Sequence, residues 1–275
     1  MDFTRGRSGA YSDWALDRLG FIWTILMKSK AQLVIPARLG STRLPGKVLA
    51  DLGGKPVLRH VWESASRALL TDVPWILTDA PEVREAVEGW GGRVIMTSPE
   101  CRSGTERLVS VLDQLEGGFF VNVQGDEPFI DPAVIDALVE RHEATGAPLV
   151  TAVYPLRSAE SLGNPNVVKA VRAHDGRVLY FSRAAVPHCR DLPDHGAWLA
   201  QGAYWGHFGV YGYARDVLEG HPALSPSPLE EIECLEQLRF LEAGFTFQTI
   251  EVAAPTVAID TLEDLLKARQ MLGSR

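Results

Sequence analysis

"QLVIPARLGSTRLPGK", Gln32–Lys47, is the stretch on which the reading of this chain turns. Gln32–Pro36 is a short, mostly apolar run, which reads as a buried strand. After Ala37, the ten residues Arg38–Lys47 hold two Gly, two Arg and a Lys. A chain of formal net charge -8 thus gathers three cations in one loop directly after a buried strand. In open α/β sheets, ligands bind beyond the carboxyl ends of the strands. Glycines admit close backbone approach, and Arg38, Arg43 and Lys47 suit an anion with phosphate geometry. The loop is not a Walker P-loop. Five residues separate Gly40 from Gly46, and Val48 follows Lys47, where that motif needs four residues and Ser or Thr. The G-x-G-x-x-G fingerprint is absent as well.

Working outward, strand and helix patterns alternate. Helical spacing runs through Pro56–Leu70, Pro81–Trp90, Ser103–Leu115 and Asp131–Thr145. Strands are expected at Pro74–Asp79, Arg93–Thr97, Phe119–Gln124 and Pro148–Leu156. Ser103 and Glu106 have the spacing of a capping box. This rhythm predicts an α/β fold, with a mostly parallel sheet flanked by helices on both faces. After residue 155 the rhythm changes. Asn166–Arg183 reads as a β-hairpin around Asp175-Gly176, and "WGHFGVYGYA" as a further strand. Ser227–Gly244 reads as one helix, with Ser227 as N-cap, Pro228 in the first turn, Glu230 completing a box and Gly244 at the end. Thr261 is expected to cap a last helix.

The 275 residues, 46% hydrophobic and 23% charged, suffice for one large α/β domain. The negative balance argues against a nucleic-acid partner, which would call for a basic face. Cys101, Cys189 and Cys234 are scattered and form neither a disulfide framework nor a zinc pattern, which points to a reducing cytoplasm. "FIWTILM", Phe21–Met27, is apolar but far shorter than the ~20 residues a membrane span needs. Residues 1–26 carry no motif and are read as an extension, the rival reading being an amphipathic interaction segment. Residues 27–275 are read as a single domain.

Two carboxylates complete a candidate centre. Asp126 follows the apolar strand "FFVNVQ", so it stands at a strand's carboxyl end, where a carboxylate near a triphosphate is a typical Mg²⁺ ligand. Gln124, Asp126 and Glu127 together exceed what a turn requires. Asp260 precedes a helix that Thr261 can already cap, so it is free to share a metal with Asp126.

The chain resembles the CMP-Kdo synthetase (3-deoxy-manno-octulosonate cytidylyltransferase) family. The resemblance is carried, in order, by "IPARLGSTRLPGK", "SGTERL", "VNVQGDEP", "LYFSRAAVP", "GVYGY", "SPLEEIECLEQLR" and "IDTLEDL". It implies a nucleotide-diphospho-sugar-transferase (Rossmann-like) fold, with the hairpin region serving the sugar and the dimer contact. It further implies transfer of CMP from CTP to the anomeric hydroxyl of a 3-deoxy-2-ulosonic acid, with Mg²⁺ as cofactor and pyrophosphate released. That step belongs to lipopolysaccharide-type surface-sugar synthesis. By the family pattern Arg38, Arg43 and Lys47 hold the CTP phosphates, Gln124 lies beside the reacting groups, and Ser103 lies near the cytosine. Asp126 and Asp260 hold Mg²⁺. Arg183 and Arg190 match carboxylate-facing positions, and His207 a sugar-contacting one. Glu230, Glu233 and Gln237, at i, i+3 and i+7, would offer polar groups to sugar hydroxyls from one helix face. A solvated face has the same spacing. A homodimer is the expected assembly.

Two features depart from the family pattern. Gly206 stands before the strand histidine, where the family commonly has Arg or another polar residue, and the segment Cys189–Trp205 differs from the usual loop. Both bear on the sugar side. A cytidylyltransferase for another sugar acid, of the sialic-acid kind, stays open on the sequence. So does an idle nucleotide-sugar binder, against which the intact Asp126 and Asp260 count.

Overall fold

The structure, a computed structural model, describes residues 31–41 and 43–273. The extension expected over residues 1–26 lies outside the described residues. Nine strands among the described residues form one sheet. They are β1 (Gln32–Pro36), β2 (Trp75–Thr78), β3 (Arg93–Met96), β4 (Phe119–Asn122), β5 (Leu149–Pro155), β6 (Lys169–Arg172), β7 (Val178–Ser182), β8 (Trp205–Ala214) and β9 (Phe247–Glu251). The order across the sheet is β9-β5-β8-β4-β1-β2-β3, with β6 joined to β8, and β7 to β6. All neighbours on the main path are parallel except β8, which runs antiparallel to both β4 and β5. The sheet is mostly parallel, as the alternation predicted.

β1 is an interior strand, between β4 and β2, and its burial explains its composition. Leu33, Val34 and Ile35 have no exposed surface, each worth about 1.5–3 kcal/mol of transfer free energy. Successive side chains point to opposite faces. Leu33 and Ile35 pack with Leu58, Val61, Val83 and Leu138 on one face, and Val34 packs with Leu108, Phe120 and Phe240 on the other. Helices α1 (Val57–Ala65), α2 (Pro81–Gly89) and α4 (Pro132–Thr145) cover the first face. α3 (Gly104–Val109) belongs to the second.

The element ends follow local chemistry. The Asp131 carboxylate accepts from the Ala133 amide at 2.9 Å, Pro132 takes the first turn of α4, and Gly146 closes it at φ 66°. α1 stops at Ala65, short of the expected Leu70. The Leu69 and Leu70 amides donate instead to the Asp136 carboxylate of α4, at 2.9 and 2.8 Å. The hairpin β6–β7 forms around Gly176, at φ 82°. α10 (Leu262–Gly273) opens with a reciprocal cap. The Asp264 amide donates to Thr261 Oγ1 at 3.2 Å, and the Thr261 amide to Asp264 Oδ2 at 2.9 Å. Short helices α5 (Ala159–Gly163), α6 (His195–Leu199) and α7 (Arg215–Gly220) lie in segments whose periodicity gave no signal.

The helix expected over Ser227–Gly244 is two helices, α8 (Pro228–Glu233) and α9 (Gln237–Glu242). Ser227 caps the first, accepting from the Glu230 amide at 3.0 Å, and Gly244 ends the second at φ 87°. Between them Cys234 adopts φ 51°, the one non-glycine residue with positive φ among those described. The cause lies across the chain. Arg183 donates to the carbonyls of Glu233 at 2.6 Å and Cys234 at 3.2 Å, the two acceptors a continuous helix would give to Gln237 and Leu238. The break ends the shared face expected for Glu230, Glu233 and Gln237.

Candidate active site

The chain steps outward from β1 through β2 to β3, then returns to place β4 on the other side of β1. This is a topological switch point, where the carboxyl ends of β1 and β4 open a crevice. The loops after both strands come together there. Gly125 is required by that approach: a Cβ at this position would stand 2.8 Å from the Pro36 carbonyl oxygen. The third loop joins through the Ile259 amide, which donates to the Asp126 carbonyl at 2.9 Å.

The charged centre is small. The Lys47 ammonium donates to Asp126 Oδ2 and, at 2.8 Å, to Asp260 Oδ1. Arg43 Nη2 lies 3.1 Å from the same Asp260 oxygen. Burial pulls the Lys47 ammonium down, but Asp126 and Asp260 outweigh it and hold its pKa above the usual lysine value. Beside them, burial pushes the Glu127 carboxyl up to about 8, while its bond from the Thr256 hydroxyl works against the shift.

A crevice of about 330 Å³ opens over this centre, within the range of small-molecule sites. Arg38, Arg43, Lys47, Ser103, Gln124, Asp126 and Asp260 all line it, so the nucleotide-side residues read from sequence are brought together. Ser103 is the N-cap of α3, accepting from the Glu106 amide at 3.1 Å. The expected box is displaced by one residue, because the Glu106 carboxylate accepts from the Arg102 amide at 2.8 Å. Sequence reasoning missed Arg107, a buried lining residue bonded to the Thr97 hydroxyl and 3.5 Å from Asp79. Its position inside the "SGTERL" motif was the available signal.

A wider cavity of about 780 Å³ adjoins the crevice and shares Arg43, Ser103 and Asp260 with it. Of the expected sugar-side residues, His207 and Gln237 line it. His207 Nε2 pairs with the Thr151 hydroxyl at 2.9 Å, and desolvation lowers its pKa to about 3, so it is neutral at ordinary pH. The other four expected residues are elsewhere. Arg183 spends its guanidinium on backbone carbonyls. The Glu233 carboxylate accepts from the Ser182 hydroxyl at 2.6 Å and the Arg183 amide at 2.8 Å. Glu230 pairs with Arg239 at 2.5 Å. Arg190 is solvent-exposed beside Asp191, outside the cavity lining. Tyr154, Asn166, Tyr211 and Glu236 line the cavity and were not singled out from sequence. The departure at Gly206 has a structural counterpart. Gly206 faces Tyr154 across β8 and β5, and a Cβ there would stand 2.3 Å from the Tyr154 ring.

Fold and crevice together define a nucleotidyltransferase: a cationic, carboxylate-bearing pocket at the switch point of a mostly parallel sheet. Residues 33–250 match the cytidylyltransferase family. The 3-deoxy-manno-octulosonate cytidylyltransferase of Myxococcus xanthus is 44% identical over 243 residues, 88% of this chain and 96% of that protein. The Escherichia coli protein of the same name is 40% identical over 245 residues, 89% of this chain and 96% of its own length. The solved structure of a CMP-2-keto-3-deoxy-manno-octonic acid synthetase complexed with CTP superposes with a TM-score of 0.83 at 40% identity, covering 90% of this chain and 99% of that one. The chain belongs to the 3-deoxy-manno-octulosonate cytidylyltransferase family.

Proposed function

We propose that this chain transfers CMP from CTP to the anomeric hydroxyl of 3-deoxy-manno-octulosonate (Kdo) and releases pyrophosphate. One observation carries the reading. A triphosphate-sized basic crevice and a wider polar cavity meet at Asp260, so a nucleotide and a sugar acid can lie side by side across one carboxylate. Arg38, Arg43 and Lys47 neutralise the triphosphate and orient its α-phosphorus. The Lys47 ammonium, held between two carboxylates, is pre-positioned for that contact. Gln124 and Ser103 flank the nucleoside side, and Arg107 stiffens it from beneath. Neutral His207 and Gln237 hydrogen-bond the acceptor from the far wall.

The residues present fit Mg²⁺. Asp126 and Asp260 converge on a single cation, Lys47 Nζ, and two carboxylates completed by substrate phosphates are a usual Mg²⁺ donor set. Asp126 and Asp260 would hold it. When bound, the ion neutralises phosphate charge and lowers the pKa of an acceptor hydroxyl. We further propose a cytoplasmic homodimer. The three cysteines are unpaired, and CTP is a cytoplasmic substrate. The outer strand β7 leaves Leu179 half exposed, where a second copy could cover it. No helix among the described residues is long and apolar enough to cross a membrane.

The test is pyrophosphate release from CTP and Mg²⁺ with a panel of acceptors. Kdo should turn over fastest, other ulosonic acids should follow, and neutral aldoses or hexose 1-phosphates should give nothing above background. Release that is independent of the carboxylate, or no release with any sugar acid, would refute the assignment.

A further inference from the structure

Lys169 is buried to zero exposure, whereas the other described lysines, Lys47, Lys55 and Lys267, are each paired with a carboxylate, and none of the chemistry above uses it. A buried ammonium is costly unless it is fully bonded. Here its partners are neutral. Nζ donates to the carbonyl of Asn164 at 2.9 Å and to that of Val167 at 2.5 Å. Those carbonyls belong to "NPNVV", Asn164–Val168, the turn that enters β6. Asn166, Val167 and Val168 of this turn line the wider cavity.

Two further carbonyls of the turn are engaged. Pro165 donates none and accepts from Arg183 Nη1 at 3.0 Å, while the Val168 carbonyl accepts from the His207 amide at 2.8 Å. The same Arg183 holds the carbonyls of Glu233 and Cys234, and Cys234 and Leu235 form another part of the cavity lining. Two cations that do not line the cavity thus bond backbone oxygens of residues that do, Lys169 that of Val167 and Arg183 that of Cys234. The Glu233 carboxylate, bonded to Ser182 and the Arg183 amide, balances the pair. Burial lowers the Lys169 pKa, with Arg183 adding to the shift and Glu233 opposing it.

We infer that Lys169 is a positioning residue for the acceptor: through Asn164 O and Val167 O its ammonium fixes the Asn164–Val168 wall of the cavity, with Arg183 anchoring the same turn through Pro165 O. It does not touch substrate. The inference rests on the proposed reading of this cavity as the acceptor site.

The experiment compares wild type with Lys169→Met, which keeps most of the volume and removes the donors, and Lys169→Arg, which keeps charge and donors. Steady-state kinetics are measured in both substrates, together with amide hydrogen exchange of the substrate-free proteins. Loosening a positioning wall should raise the KM for Kdo about tenfold or more, with kcat and the KM for CTP within about twofold. Lys169→Arg should recover part of the loss. Exchange should quicken in Asn166–Val168 and at His207, whose amide bonds to the same turn, and stay unchanged around Lys47 and Asp126. Equal loss in both substrates, or a lower melting temperature with kinetics intact, would overturn the inference. Should Lys169→Met not fold, Lys169→Arg and Lys169→Gln carry the same comparison. If wild type itself ignores Kdo, the functional proposal fails on its own. The exchange pattern then still decides whether Lys169 anchors this wall.

Discussion

At the scale of single residues, the centre is a contest for charge. Two carboxylates share one lysine, and Asp260 also faces Arg43. Such groups act as a unit, so single changes should be nearly as damaging as double ones. Asp126→Asn and Asp260→Asn should each lower kcat by roughly a hundredfold or more, the several kcal/mol attributed to metal-assisted charge stabilisation. The double variant should be little worse than either. Single-turnover rates at saturating CTP and Mg²⁺ check this, and losses that multiply would mean the two carboxylates serve separate tasks. Their place in the crevice was legible, because Asp126 follows an apolar strand and Asp260 precedes a helix that Thr261 caps. Arg183 and Glu233 were misplaced because matching a motif position says nothing about where a long side chain turns. In the fold their atoms are consumed by backbone groups that lie distant in sequence.

At the scale of elements, period and caps were readable, while interruptions imposed from outside were not. Strands β1 and β4 announce themselves as apolar runs, and Ser227 and Thr261 cap their helices as expected, although the Glu230 carboxylate turns to Arg239 and leaves the box at Ser227 half made. The break at Cys234 carries no local signature, since Cys is no helix breaker and the cause is a guanidinium some fifty residues away. The β5–β8 pairing offers a sharper test. Tyr154 covers Gly206, its direct cross-strand partner, and a Cβ at 206 would fall within 2.3 Å of the ring. Gly206→Ala should therefore destabilise the protein by about 1–3 kcal/mol, the usual cost of overpacking. Combining it with Tyr154→Ala, which vacates the ring, should recover part of that loss, a coupling visible in a double-mutant cycle of denaturant midpoints. Additive effects would show that the ring moves aside freely and that glycine is not needed there.

At the scale of the whole molecule, the site is assembled from both ends of the chain. Lys47 comes from the first described loop and Asp260 from the last, and they meet at 2.8 Å. The parallel order of the sheet was legible from alternation, and the parallel strands bring the carboxyl ends of β1 and β4 to one edge. The placement of β8 between β4 and β5 was not, because an antiparallel strand inserted into a parallel sheet has the same period-two pattern as any other. The described fold begins with the bonds of Ala31, whose amide donates to the Leu70 carbonyl at 3.2 Å, and with β1 itself, paired on both sides. The family match begins at residue 33, and the Myxococcus xanthus relative is covered over 96% of its length by 88% of this chain. We therefore propose residues 27–275 as the working domain. A chain begun at Met27 should melt within about 2 °C of the full one, a difference below about 1 kcal/mol for a domain of this size. It should also match the full chain in kcat/KM for CTP and Kdo. Thermal melts and pyrophosphate release on the two proteins side by side decide it. An insoluble or slow truncated chain would assign part of residues 1–26 to the fold and move the domain boundary toward the first residue.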